Sequence, residues 1–159
     1  MPAPSTTTPD QRTGRRSAGF PRRRWHRVLA HAFAGAALLH ASAALTQAVL
    51  AGQFLGGNYH GLPWHETVGT VVIGQTAMLQ LLVAIVMWWP ARGPAWPTLA
   101  TVALFAVELV QIDLGFGDQL EVHVPLGVAI IIGSLAILAG AVQIARRRTG
   151  SSGPEERPG

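Results

Sequence analysis

Four long apolar segments, at about 28–54, 66–90, 96–115 and 123–145, make up most of this chain, with short polar stretches between them. Each is long enough for an α-helix to cross the ~30 Å hydrocarbon core of a bilayer, which takes roughly 20 residues. The breaks hold residues that belong outside hydrocarbon. Those near 50–65 and 113–122 collect Gly, Asn, His, Pro, Asp and Glu, and the join at 90–97 reads Pro-Ala-Arg-Gly-Pro-Ala-Trp-Pro, which stops one helix and starts another. The pattern predicts an all-α fold, an integral membrane four-helix bundle over residues 27–148. A disordered basic tail is expected at 1–26 and a Gly/Ser/Pro-rich one at 149–159.

Charge gives the spans a direction. Only 13% of the 159 residues are charged, against roughly 25% in an average globular protein, and 49% are hydrophobic. All twelve basic residues are arginine. If four helices alternate, Arg12 to Arg27, Arg92 and Arg146 to Arg148 share one side, while Glu66, Asp113, Asp118 and Glu121 share the other. The positive-inside rule then puts both termini in the cytoplasm and the protein, multi-pass, in the cytoplasmic membrane. Trp25, Trp88, Trp89 and Trp96 mark the inner edge; Tyr59 and Trp64 mark the outer one. The first apolar run is too long for an ordinary signal-peptide core, so an uncleaved first span is expected. The net charge of +4 does not point to nucleic acid, because the arginine clusters abut membrane spans and suit anionic inner-leaflet lipid.

Within the spans a short motif occurs twice. The second span carries His65-x-x-x-Gly69 and the fourth His123-x-x-x-Gly127, both at the outer edge. The i,i+4 spacing puts histidine and glycine on one helical face, which Ile73 and Thr76 continue in one span, Ile131 and Ser134 in the other. Gln47 with Gln53 precedes the first outer loop and Gln111 the second, so two hairpins in approximate tandem repeat are expected. A histidine beside a glycine leaves room for a bulky planar group to approach the backbone. Two parallel helices would bring His65 and His123 to one depth, as axial ligation of haem iron through neutral imidazole nitrogens requires. The plainer reading is headgroup hydrogen bonding by the histidines and close helix packing at the glycines.

Other polar residues sit inside the spans. His40 is close to the middle of the first and is expected to face the bundle, as a second haem ligand, a proton relay, a quinone contact or an interhelical bond. Glu108 lies inside the third; its charged form is costly in hydrocarbon, so a partner such as a histidine is expected. Gln47, Gln75, Gln80 and Gln111 suggest a polar seam, and His60 reads as a loop residue. The absence of cysteine excludes disulfides, thiol catalysis, iron–sulfur clusters and cysteine zinc sites. No phosphate-binding loop, Rossmann fingerprint or nucleophile elbow is present, and His65-Glu66 fails as a zinc-hydrolase motif because position 69 is glycine. No residue pattern assigns an enzymatic reaction.

Through the paired His-x-x-x-Gly motifs, residues 28–145 resemble small four-helix membrane proteins of actinobacteria and, more distantly, one four-helix half of haem A synthase. In that family histidines near the outer ends of the second and fourth helices bind haem b or line the haem substrate site; the matching positions are His65 and His123, followed by Gly69 and Gly127. The synthase pattern has glutamate before a His-Arg pair where this chain reads Trp64-His65-Glu66, and the second four-helix half is missing. The resemblance therefore implies a haem-binding scaffold rather than haem A synthesis. Three functions follow as expectations. The first is a b-type haem protein in electron transfer or haem handling, with His65 and His123 as iron ligands and His40, Gln47, Glu108 and Gln111 as polar surroundings or a quinone contact. The second is a non-enzymatic structural or accessory protein of an envelope or respiratory membrane complex, and the third a small transporter or quinone-interacting module.

Overall fold

The computed structural model describes residues 20–117 and 119–150. The expectations for residues 1–19 and 151–159, and for Asp118, lie outside the described residues. The regular structure of the described residues is all helical: α1 (Phe20–Leu55), a 3₁₀ turn (Tyr59–Gly61), α2 (Leu62–Thr67), a π turn (Val68–Val72), α3 (Ile73–Trp88), α4 (Trp96–Phe116) and α5 (Leu120–Gly150). These make four membrane-length spans, Arg24–Leu55, Tyr59–Trp88, Trp96–Phe116 and Leu120–Thr149.

Three boundaries differ from the hydropathy reading, each for a local reason. Helix α1 begins at Phe20, inside the stretch expected as tail, with Pro21 next in sequence where a first-turn proline loses no hydrogen bond. The second span begins at Tyr59 rather than near 66, because Asn58 accepts from the His60 amide and Pro63 sits in the first turn of α2. Helix α5 runs from Leu120 to Gly150, past both ends of the apolar segment, and holds Pro125 within it. Both motif histidines are consequently the fourth residue of their helices, α2 and α5, rather than the first.

The turns follow from backbone chemistry. At the end of α1 the Asn58 amide donates to the Gln53 carbonyl and the Gly57 amide to the Phe54 carbonyl, at 2.9 and 3.0 Å. This is a Schellman closure, and Gly57 supplies its left-handed residue at φ +89°. Between α3 and α4, Arg92 adopts φ 51° and the Gly93 amide returns to the Met87 carbonyl at 2.9 Å.

Helix α1 packs against α3 and α5, and α4 packs against the same two. The ring so closed has α1 opposite α4 on one diagonal and the α2–α3 span opposite α5 on the other. Alanines Ala30, Ala36, Ala37, Ala41, Ala43 and Ala44 are buried on α1, the small residues that allow close helix approach in a bilayer. Toward the arginine-bearing end the interior is apolar, formed by Phe33, Ala37, Ala84, Met87, Leu104, Ile130, Ile137 and Ala141. Phe33 meets Trp96 edge to face at 6.5 Å. Large apolar side chains such as Leu39, Leu82, Leu99 and Ile132 point outward, as a lipid-facing surface requires.

Candidate functional site

The interior polar residues fall into two groups at different depths. At the outer end the rings of His65 (α2) and His123 (α5) lie 6.3 Å apart between centroids, with planes at 60°. Each histidine is held by a glutamine from the preceding span. Gln47 Nε2 donates to the His65 carbonyl oxygen at 2.9 Å, and Gln111 Nε2 donates to the His123 carbonyl oxygen at 2.9 Å. The glycines explain how the amides get there. A Cβ at Gly69 would collide with Gln47 Nε2, and one at Gly127 would come within 3.1 Å of Gln111 Nε2. The planar group seated over each glycine is thus a glutamine carboxamide, where the sequence suggested room for a larger one.

The two histidines differ in second contacts. His123 Nδ1 lies 2.9 Å from the Gln111 carbonyl oxygen, which can only accept, so Nδ1 carries the hydrogen. In the neutral ring Nε2 is then the lone-pair nitrogen. The ring also lies over Gly115, where a Cβ would sit 2.8 Å from its Cε1. His65 Nδ1 is buried without a hydrogen-bond partner among the described residues. Beside His65 the helix widens into the π turn, a one-turn irregularity frequent at functional sites.

Near the middle of the bundle, His40 and Glu108 approach across the α1–α4 diagonal with Nε2 and Oε1 2.8 Å apart, but not in hydrogen-bonding orientation. Both are almost wholly buried, at 1% and 3% exposure. His40 Nδ1 faces Thr76 Oγ1 on α3 at 3.2 Å. The Thr76 hydroxyl hydrogen is directed at the carbonyls of Val72 and Ile73, at 2.9 and 3.0 Å, so toward His40 it acts as acceptor and Nδ1 is the donor. Glu108 Oε2, Gln47 Oε1 and Gln111 Oε1 are buried acceptors without a partner among the described residues. One turn and more inward, Gln80 Nε2 donates to Thr101 Oγ1 at 2.9 Å between α3 and α4.

Sequence reasoning singled out His40, Gln47, His65, Gly69, Glu108, Gln111, His123 and Gly127, and the structure gathers them into these two groups. Gln75 leaves the expected seam: it is exposed, being one residue and so about 100° around the helix from inward-facing Thr76. His60 is exposed on its 3₁₀ turn, as a loop residue should be. Thr101 and Gly115 were missed; neither belongs to a motif, and only the partner helix gives each a role. Among the described residues no three or more His, Cys, Asp or Glu side chains gather in a way that could hold a metal ion. No protein-family model, curated protein or solved structure matches the chain.

Proposed function

We propose that this chain is a non-enzymatic integral membrane protein of the cytoplasmic membrane. Both termini are cytoplasmic, two hairpins form an approximate tandem repeat, and the protein serves as an accessory subunit of an envelope or respiratory assembly. One observation carries the reading: the interior polar side chains bond to other helices. Gln47 and Gln111 reach the His65 and His123 backbones, Gln80 reaches Thr101, and His40 reaches Thr76. In a bilayer, where helices gain little from apolar burial against one another, such bonds and small-residue contacts are what join them. Crosslinking in native membranes followed by native electrophoresis tests the accessory role. A discrete species larger than the chain and its detergent is expected; migration of the free chain alone would overturn it.

A second reading, a b-type haem protein, is favoured by the ring pair. The two rings are neighbours at the outer end, and His123 is oriented through Nδ1–H to a backbone carbonyl, the usual support of a metal-bound imidazole. The faces of Gly69 and Gly127 do not serve a macrocycle, since glutamines cover them. On this reading His65 and His123 would hold the iron, Gln111 would orient His123, and the haem would supply one-electron chemistry.

A further inference from the structure

Helices α1 and α5 outrun the other two spans at the arginine-bearing end. There α3 stops at Trp88 and α4 starts at Trp96. The Trp96 ring meets Phe33 of α1 edge to face and lies against Gly140 of α5, where a Cβ would collide with it. Beyond this level α1 continues nine residues back to Arg24 and α5 nine residues on to Thr149, roughly 13 Å each at 1.5 Å per residue. The headgroup layer is roughly 5–7 Å deep on each side of the hydrocarbon, so the paired ends pass through it. They enclose a groove of about 700 Å³ lined by Arg24, Arg27, Val28, His31, Ala32 and Thr149.

The lining changes along the helix axis. Ala32, His31 and Val28 stand nearest the hydrocarbon, and Arg27 and Arg24 follow at roughly 9 and 13 Å from the level of Phe33. His31 Nδ1 lies 2.8 Å from the Arg27 carbonyl oxygen, which can only accept, so this bond takes the Nδ1 hydrogen and fixes the ring. The Thr149 hydroxyl donates to the Ala145 carbonyl at 2.7 Å, which leaves the two guanidiniums as the charged donors of the groove. Neither Arg24 nor Arg27 has an ion pair among the described residues. The described carboxylates, Glu66, Glu108, Asp113 and Glu121, lie at the middle of the bundle or its outer end. Two cations without a counter-charge there thus adjoin an apolar stretch, in which Val28 and Ala32 are exposed.

We propose that this groove binds one anionic phospholipid, with its phosphodiester on Arg24 and Arg27 and its glycerol and acyl end along Val28 and Ala32. A free phosphate would engage the arginines and leave the apolar stretch uncovered. A neutral lipid would cover that stretch and leave the charges unmatched. An amphiphile with a negative headgroup answers both, in the order in which the lining presents them. Arginine suits the headgroup because its planar fork donates two parallel hydrogen bonds to phosphate oxygens. The bound lipid would bridge the paired ends of α1 and α5 where the other spans no longer flank them. Its assignment to the inner leaflet rests on the orientation proposed above; the groove and its ligand do not.

The test is native mass spectrometry of the full chain in neutral detergent, titrated with phosphatidylglycerol, phosphatidylethanolamine or inorganic phosphate. One phosphatidylglycerol per chain should bind in preference to phosphatidylethanolamine, and inorganic phosphate at equal concentration should not displace it. Arg24→Gln combined with Arg27→Gln should weaken binding about thirtyfold, the worth of two arginine contacts at a charged lipid surface. Arg146→Gln combined with Arg147→Gln removes the same charge outside the groove. It should weaken binding by no more than about threefold, because those charges act only through screened attraction. Ala32→Trp keeps every charge but fills the groove, and should also lose the lipid while its helical circular dichroism stays intact. Equal losses in the two arginine pairs would mean diffuse charge attraction and overturn the proposal. So would equal binding of phosphatidylethanolamine, displacement by phosphate, or undiminished binding to Ala32→Trp.

Discussion

Gly69 and Gly127 occupy equivalent places in their motifs, yet alanine should affect them differently. At Gly69 an added methyl collides with Gln47 Nε2, so the amide must leave. That breaks the bond to the His65 carbonyl and strands a buried carboxamide. Loss of the bond costs about 0.5–1.5 kcal/mol net, and an unsatisfied buried amide costs about 1–3 kcal/mol. Alanine returns about 1 kcal/mol in helix propensity, leaving a net destabilisation of about 0.5–3.5 kcal/mol. At Gly127 the nearest atom to the new Cβ, Gln111 Nε2, is 3.1 Å away, and it can yield by a few tenths of an ångström. Gly127→Ala should therefore fall within about 0.5 kcal/mol of neutral. In a Gln47→Ala background the obstacle to Gly69→Ala is gone and the substitution should stabilise by about 0.5–1 kcal/mol. The assay is reversible unfolding in mixed micelles titrated with SDS, followed by far-ultraviolet circular dichroism. The reasoning is refuted if Gly69→Ala changes stability equally with and without Gln47.

Other consequences can be checked alongside. Gly57→Ala should cost about 1–2 kcal/mol in the same assay, because the Schellman closure holds this residue at φ +89°; an unchanged midpoint would show that the turn relaxes. Gln80→Leu and Thr101→Val should each destabilise, with a coupling of about 0.6 kcal/mol in a double-mutant cycle, and strict additivity would deny the bond. Because the chain has no native cysteine, single cysteines report topology cleanly. Asn58→Cys should react with a membrane-impermeant maleimide from outside intact cells and Arg92→Cys only after permeabilisation, and the reverse would invert the bundle. Gly115→Ala should displace the His123 ring, whose Cε1 lies 2.8 Å from the new Cβ, and shift its imidazole NMR signals while leaving those of His40 in place.

The spans were legible because arginines and turn residues interrupt apolar runs, and hydrocarbon tolerates neither. Their starts were less so: Pro63 and the 3₁₀ turn carry helix seven residues upstream of the apolar segment near 66, and hydropathy is blind to capping. The His65–His123 proximity followed from equal spacing in two parallel helices. His40 and Glu108 were each conspicuous as ionisable residues in hydrocarbon, but their meeting depends on α1 and α4 lying on a diagonal, which no single span encodes. The glycines show a different limit. Their spacing indicated an open helical face, while the side chain that fills it comes from another helix, 22 residues away for Gly69 and 16 for Gly127. Gln75 shows the last: a polar residue one position out of phase is turned about 100° away from the interior and lies exposed.

The account holds that the interior polar residues serve to join helices. The most direct test is a reduced-minus-oxidised visible spectrum of detergent-purified protein from haem-replete cells, beside His65→Ala and His123→Ala. The account predicts no stoichiometric haem in the folded wild type, and variants that differ from it only in stability. A stoichiometric low-spin b-type spectrum, lost or turned high-spin in both variants, would contradict it and make His65 and His123 the axial pair.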